Sequence, residues 1–367
     1  MTVLVVGAGV IGAAIAEALA SRGAHVTVLD MRAPGRGASQ ASAGVLAPYI
    51  EAHENTALLD LGIRSLALFD GLIDRLGDKS GRSIEYARTG TLDIALTDDA
   101  AVTFLAAKKW LDGQGVACEW LDAARLRSAE PTVTPSARGG LLIRQHGIVG
   151  VSSLVAALVQ SARLAGAWFE SPVEIVHVEP RADRIEVRAG ERRFNADHVV
   201  IAAGSWSRRV RVAGAPALPI RPVRGQLLHL SWPDAKRPSQ VVWGPRCYTV
   251  PWSDGSLLVG ATVEDVGFDE ASTVAGVHDL TEAVIELLPD ASRASLTAVR
   301  VGLRPATPDG LPAIGPLSVS PRVTMATGHY RNGILLAPLT AEIVTRYVLD
   351  GVADPAFEVT NPNRFAE

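Results

Sequence analysis

The sequence predicts an α/β protein: a Rossmann-like nucleotide-binding domain, assembled from separated stretches of chain, with an inserted, mainly antiparallel β-sheet α+β domain. Three observations predict it. A strand, a glycine turn and a helix open the chain. A mainly β middle contains a hairpin signal. A last piece returns to the first domain and ends in an apolar helix. At 367 residues the chain is too long for one ordinary core, so one large domain plus a smaller one is expected.

The opening unit is the clearest. Val3-Leu4-Val5-Val6 is a continuous apolar run, the pattern of a buried parallel strand. A helix over about Val10–Ser21 follows, with Ile11, Ile15, Ala18 and Leu19 at helical spacing and Gly23 as its stop signal. His25–Leu29 reads as the second strand of a βαβ unit. A helix is expected over Thr56–Leu76. Between Arg88 and Ile143 the pattern gives a strand, a helix near Ala100–Gln114 and short polar loops. The nucleotide domain resumes near Gly150 with a helix at Ser152–Ala165 and a strand at His198–Ala202. From Ser207 to Val299 the pattern is mainly β, and Ser253-Asp254-Gly255 joins Arg246–Val250 to Leu257–Thr262 as a hairpin. The closing helix spans about Ile334–Leu349 and stops at Gly351. The expected boundaries are 1–80, 145–206 and 297–367 for the nucleotide domain, with 81–144 and 207–296 for the inserted one.

Composition removes several classes of function. Hydrophobic residues make up 48% and charged ones 20%, which suits a globular protein. A net charge of −4 gives no overall attraction to nucleic acid or anionic membrane, and the longest basic runs are pairs such as Arg192-Arg193. Two cysteines, Cys118 and Cys247, make neither a disulfide scaffold nor a metal site and suit a reducing compartment. The apolar stretch Met1–Ala20 lacks a basic start and is interrupted by Gly7, Gly9, Gly12 and Glu17, so it reads as neither signal peptide nor membrane span. The expectation is a cytoplasmic protein without metal, nucleic-acid or membrane partners; self-association is left open.

Gly7-Ala8-Gly9-Val10-Ile11-Gly12 matches GxGxxG between a strand and a helix, and an acid follows at Asp30. Gly7 permits the tight turn, Gly9 lets backbone approach a pyrophosphate, and Gly12 lets helix and strand pack closely. Gly7, Gly9, Val10, Ile11 and Gly12 are therefore the expected pyrophosphate seat. The helix N-terminus there favours an anion. Asp30 accepts hydrogen bonds from a ribose and repels a 2′-phosphate, which disfavours NADP. The motif alone does not separate FAD from NAD.

Three further segments bear on that choice: Ala38-Ser39-Gln40-Ala41-Ser42-Ala43-Gly44-Val45-Leu46, then Val199–Ser207, then Gly328-His329-Tyr330-Arg331-Asn332-Gly333-Ile334-Leu335-Leu336-Ala337-Pro338. Together with the opening turn they make the chain resemble the D-amino acid oxidase superfamily, and within it the glycine oxidases of the thiamine-pathway type, over nearly its whole length. The resemblance implies FAD. It places Asp30 and Met31 at the adenosine, with Val173 contacting the adenine through its backbone and Gly204 turning near the same half. Ala38, Ser39, Ala43, Gly44 and Val45 would pass beside the flavin, where only small side chains fit. His329, Tyr330, Arg331, Asn332, Gly333, Ile334 and Leu335 would form the loop and helix start that face the flavin pyrimidine, where a helix dipole favours the charge of reduction. Neither cysteine matches a flavin-attachment site of the family, so FAD is expected to be non-covalent.

The resemblance also implies a substrate pocket. Gly302-Leu303-Arg304-Pro305 resembles the segment that carries a carboxylate-binding Arg, a residue whose fork makes two parallel hydrogen bonds to such a group. Tyr248 matches a Tyr whose hydroxyl reaches the same carboxylate, and Arg331 a residue lining the pocket near the amine. Two positions depart from the glycine oxidase pattern. Arg246 stands where a His is usual, and Val263 where a Met is usual. Strand alternation puts Arg246 on the face of Tyr248, so it is expected either to bind a second substrate carboxylate, as in an N-carboxymethyl amine, or to pair with Glu264 or Asp265. The reaction implied is oxidative deamination of a small amino acid or N-substituted glycine. Hydride leaves the α-carbon for the flavin, oxygen is reduced to hydrogen peroxide, and no protein residue serves as catalytic base. A dehydrogenase with another electron acceptor and a non-catalytic flavin-binding subunit stay open as alternatives.

Overall fold

The computed structural model describes residues 1–50, 56–233 and 236–366. Its nucleotide half is built on a six-stranded sheet, in the order Ala313–Leu317, Ser320–Thr327, His198–Ile201, Thr2–Val6, His25–Leu29, Trp168–Glu170. The first pair is antiparallel and the rest run parallel, with Leu4 opposite Val199 and Thr27. Such strands are buried on both faces. Val3 and Val5 pack under the helices Val10–Ser21, Val151–Leu164 and Gly333–Asp350. Leu4 and Val6 face Val178, Ile185 and Val187 of a second, four-stranded sheet. The closing helix ends at Gly351 in the left-handed conformation (φ 69°) that glycine adopts without strain.

The other half is an eight-stranded sheet: Ser295–Ala306, Arg221–Ser231, Ser256–Gly260, Tyr248–Pro251, Val241–Trp243, Thr91–Ala95, Gly139–Ile143, Cys118–Asp122. All neighbours are antiparallel except Val241–Trp243 beside Thr91–Ala95. The Ser205 hydroxyl donates to the Leu303 carbonyl (2.9 Å) and ties the two sheets together.

Three expectations change. Ser295–Ala306 falls mostly in the piece assigned to the nucleotide domain from residue 297, yet it is hydrogen-bonded along Arg221–Ser231 in the eight-stranded sheet. The single helix expected over Thr56–Leu76 is two, Ala57–Ala67 and Phe69–Ser80, and at the break the Arg88 guanidinium takes the Leu66 carbonyl (3.0 Å). The stretch read as mainly β contains the helix Val274–Leu287. Thr273 caps it, and Leu280, Ala283, Val284 and Leu287 bury its inner face against Leu228, Leu230 and Val259.

Three histidines are buried as neutral rings. His146 stacks on Tyr49, meets Thr91 Oγ1 (2.7 Å) and accepts from the Tyr49 N–H (3.2 Å). His198 meets Thr324 Oγ1 (2.8 Å) and His329 meets Thr340 Oγ1 (3.1 Å). Burial pulls their pKa values down to about 3, about 4 and about 3 respectively. Burial acts oppositely on Asp93, which sits between Leu141 and Trp243 in the large sheet and is pushed up to about 7. As pH falls from about 6.5 towards 4, each histidine takes a proton in the unfolded chain but not in the folded one, which lowers stability. Asp93 does the reverse in that window. Three groups outweigh one, so the melting temperature should drop by several degrees between pH 7 and pH 5 in a fluorimetric melt. A flat profile would contradict neutral burial of the rings.

Candidate active site

A cavity of about 750 Å³ runs between the two halves, lined from both. Its volume lies in the upper part of the range for small-molecule and cofactor sites. The glycine turn opens into one end. Gly7 has φ +106°, and a Cβ there would lie 2.4 Å from the Ala202 carbonyl oxygen. A Cβ on Gly12 would lie 1.9 Å from the Gly7 carbonyl oxygen, so this glycine serves helix–strand packing and, alone of the motif residues expected at the cofactor, does not line the cavity. Gly9 differs: its Cβ would meet only Ser39 Oγ, at 3.5 Å. The protein itself does not require a glycine there, so the backbone is left open to a ligand's close approach. The first helix carries no acid in its first turn. Ser39 Oγ accepts the Val10 N–H (3.0 Å) and the Ala13 N–H returns to Gly9 (2.9 Å). Among the described residues the Ile11 and Gly12 N–H groups have no acceptor, which fits a pyrophosphate.

Asp30 lies beside this turn. One carboxylate oxygen accepts from the Ala8 N–H (2.6 Å) and the other from the Arg32 N–H (2.7 Å). Burial pushes its pKa up, the two N–H donors pulling the other way. Each oxygen keeps a lone pair for a ribose hydroxyl. The Val173 N–H is committed to the Asp30 carbonyl (2.7 Å), so the adenine contact expected of Val173 falls to its carbonyl. Met31 and Gly204 (φ +53°) line the same end. Arg32 makes a bidentate pair with Glu270 (2.8 and 2.5 Å) and stacks 4.5 Å over Trp206.

The small-residue loop crosses the middle. Ala38–Ala41 forms a short turn over Gly302, whose Cβ would lie 2.9 Å from that of Ala41. Ala43 is buried, Gly44 has φ +74° against the Val149 carbonyl, and Val45 pairs with Ile148. The closing helix enters from the opposite side, and Tyr330 to Leu336 line the cavity. Its N-terminus has no side-chain cap and no acid in its first turn. Tyr330 holds φ +48°, a conformation that costs a non-glycine residue of order 1–3 kcal/mol and fixes the loop at the helix start. Two helix N-termini without acids in their first turns, a glycine with open space beside it and a wall of small residues suit a long, flat, anionic dinucleotide.

The far end is polar. Arg304 is mostly buried, with its Nη1 donating to the Thr262 carbonyl (2.9 Å) and at greater length to that of Arg224 (3.4 Å). Among the described residues no acid lies within ion-pair distance of it. Burial pulls its pKa down, while Tyr248, Tyr330 and Glu264 pull the other way. Arg304 fits because Gly225 faces it: a Cβ there would lie 2.2 Å from Nη2. Gly260 does the same for Tyr248, whose hydroxyl would lie 2.5 Å from such a Cβ. Tyr248 stacks on Trp243 (4.5 Å, 22°), and Arg331 lies over the Tyr330 ring. Trp243, Gly225 and Gly260 are not singled out in the sequence; glycines inside strand patterns, where a close approach needs them, are the signal for the last two.

Arg246 corrects an expectation. It precedes the strand Tyr248–Pro251, so alternation does not govern it. It lies at the rim of the cavity, half exposed, and pairs with Glu282 (2.5 Å) and Glu286 (3.4 Å) of the unforeseen helix rather than with Glu264 or Asp265. Val263 is exposed. Cys118 lies away from the cavity, and the buried Cys247 thiol is pushed up to about 12, which keeps it protonated.

The family model described as "FAD dependent oxidoreductase" matches residues 2–347. Glycine oxidase from Geobacillus kaustophilus is 33% identical, covering 94% of this chain and 92% of that protein. Its crystal structure superposes with a TM-score of 0.93 over 99% of this chain and 98% of that one. Glycine oxidase from Pseudomonas putida is 31% identical over 96% of both chains. The iminodiacetate oxidase of Chelativorans sp. BNC1 is 26% identical, with a TM-score of 0.89 over 98% of both chains.

The glycine geometry separates binding from folding. Gly9→Val should leave the melting temperature of the apoprotein within about a degree of the parent and weaken FAD, followed by quenching of its fluorescence, by at least about tenfold. Gly12→Val should fail to fold. Equal damage from both would refute the distinction.

Proposed function

The chain belongs to the FAD dependent oxidoreductase family, and from that premise we propose that it oxidises the carbon–nitrogen bond of glycine or an N-substituted glycine, with Arg304 as the anchor of the substrate carboxylate. One observation carries the reading. Among the described residues the Arg304 guanidinium has no acid partner, which is costly for a buried cation, and the cavity beside it is where an anion would relieve that cost. Tyr248 supplies a hydroxyl on the same side, with Trp243 stacked behind it.

The glycine turn and the closing helix would hold FAD, which when bound would supply a two-electron acceptor for the substrate and a route for those electrons to oxygen. The protein's part is position and charge. Arg304 grips the carboxylate and turns the α-carbon towards the small-residue wall of Ala43 and Gly44. The Arg304 charge favours the neutral amine whose lone pair the oxidation needs. No general base is invoked. His329, which lines the cavity, is neutral and engaged with Thr340, and Asp30 belongs to the nucleotide end. The imine leaves to hydrolyse in water.

The oxidases among the relatives support oxygen as acceptor, and the iminodiacetate oxidase supports an N-carboxymethyl substituent. Arg246 is already paired, so it does not hold that second carboxylate. The protonated Cys247 and distant Cys118 support non-covalent FAD. Two free thiols suit a reducing compartment, the cytoplasmic setting we assign, and among the described residues no helix is long and apolar enough to cross a membrane.

Peroxide release with glycine, sarcosine and iminodiacetate tests the reading. Arg304→Met should lower kcat/KM for all three by at least about a hundredfold, as loss of a buried charge partner does. Flavin reduction without peroxide in air would favour a dehydrogenase. Arg246→Ala should leave the ratio of iminodiacetate to glycine turnover unchanged; a fall would return Arg246 to the pocket.

A further inference from the structure

The end of the cavity beside Asp30 is walled in part by Arg32, Trp206 and Arg209, all from the nucleotide half. A segment of the other half, residues 265–272, crosses the outside of this wall. Glu270 takes the fork of Arg32 (2.8 and 2.5 Å). Phe268 packs on Trp206 with ring centres 5.7 Å apart, and the Arg209 guanidinium covers the Phe268 ring at 3.8 Å. Arg32 in turn stacks over Trp206 at 4.5 Å. Glu270, Arg32, Trp206, Phe268 and Arg209 thus form one run of contacts that passes back and forth between the halves.

The segment is moored on its own side. Glu264, just before it, exchanges backbone hydrogen bonds with Arg224 (2.8 and 3.0 Å). Thr273, just after it, caps the helix Val274–Leu287 and donates its N–H to the Gln226 side chain (2.9 Å). Between these points the buried Arg224 guanidinium holds Asp269 (2.6 Å) and the Ala271 carbonyl (3.0 Å). Glu270 and Phe268 are therefore presented at fixed positions, although they sit on a loop.

Glu270 and Phe268 do not line the cavity; they back the residues that do. Displacing Arg32 and Trp206 from the wall would break a bidentate ion pair and strip the Phe268 ring of its aromatic and cationic neighbours. We propose that the segment 265–272 is a latch on the cofactor. Glu270 and Phe268 are positioning residues: they hold Arg32 and Trp206 closed over the adenosine of FAD and so set the rate at which the cofactor is released. The proposal takes the adenosine to lie at Asp30 and is independent of the carboxylate anchor.

The test dilutes the FAD-loaded protein into buffer without FAD or amine and follows release as a rise in flavin fluorescence. Phe268→Ala should speed release by about tenfold and Glu270→Gln by about fivefold, the scales of an aromatic cluster with its cation and of one half-exposed bidentate pair. Asp265→Asn lies on the same segment but pairs outward with Arg221 (3.2 Å), so it should release FAD at the parent rate. Parent-like release from either Phe268→Ala or Glu270→Gln would overturn the proposal. Equal acceleration by Asp265→Asn would also overturn it, since that would mark a general loosening of the loop. A purely structural role would lower the melting temperature of the FAD-free chain and leave the release rate unchanged. If Phe268→Ala does not fold, Glu270→Gln decides alone. Because no amine is present, the outcome stands apart from that of the peroxide assay: a failed anchor shows in turnover, a failed latch in release.

Discussion

The ladder between Arg221–Ser231 and Ser295–Ala306 is the constraint on which the site depends. Its register sets Gly225 against Gly302 and Val223 against Arg304. One strand then carries the anchor guanidinium over the notch at Gly225, while Gly302 receives Ala38 and Ala41 of the loop beside the flavin position. Leu303, between them, takes the Ser205 hydroxyl from the nucleotide half. A slip of one residue would turn Arg304 to the opposite face and set side chains where the glycines now stand. The small-residue wall, the proposed substrate anchor and the interface are therefore read from one pair of strands.

The cavity treats its cations in three ways. Among the described residues Arg304 has carbonyl partners and no acid. Arg32 is neutralised face to face by Glu270 and spends its planar surface on Trp206. Arg246 is drawn outward to two acids on a helix. An arginine's presence near a pocket thus says little; what decides its use is whether an acid already holds its fork.

Local chemistry explains which features were legible in the sequence. The glycine turn, the stop at Gly351 and the small-residue loop depend on what one or two residues can do to their own backbone, and they are found where the sequence indicates. The orientation of Arg246 depends on Glu282 and Glu286, some forty residues away on a helix hidden in a β-looking stretch. The split of the helix at Leu68 depends on Arg88, which reaches a carbonyl from another element. Ser295–Ala306 straddles the boundary expected near residue 297, and only its partner Arg221–Ser231 tells which sheet it joins. In each case the missing information was tertiary.

The six-stranded sheet joins Thr2–Val6 to Ser320–Thr327 through His198–Ile201. The first helix packs on the closing helix, and Arg22 pairs with Asp350 (2.9 Å) across some three hundred residues. During synthesis, Thr2–Val6 has no complete sheet to join until Ser320–Thr327 has been made. Its apolar faces must wait, exposed, while the intervening domain is made. The topology that brings two helix ends to one cavity thus leaves the apolar faces of Thr2–Val6 long without their partners as the chain is made.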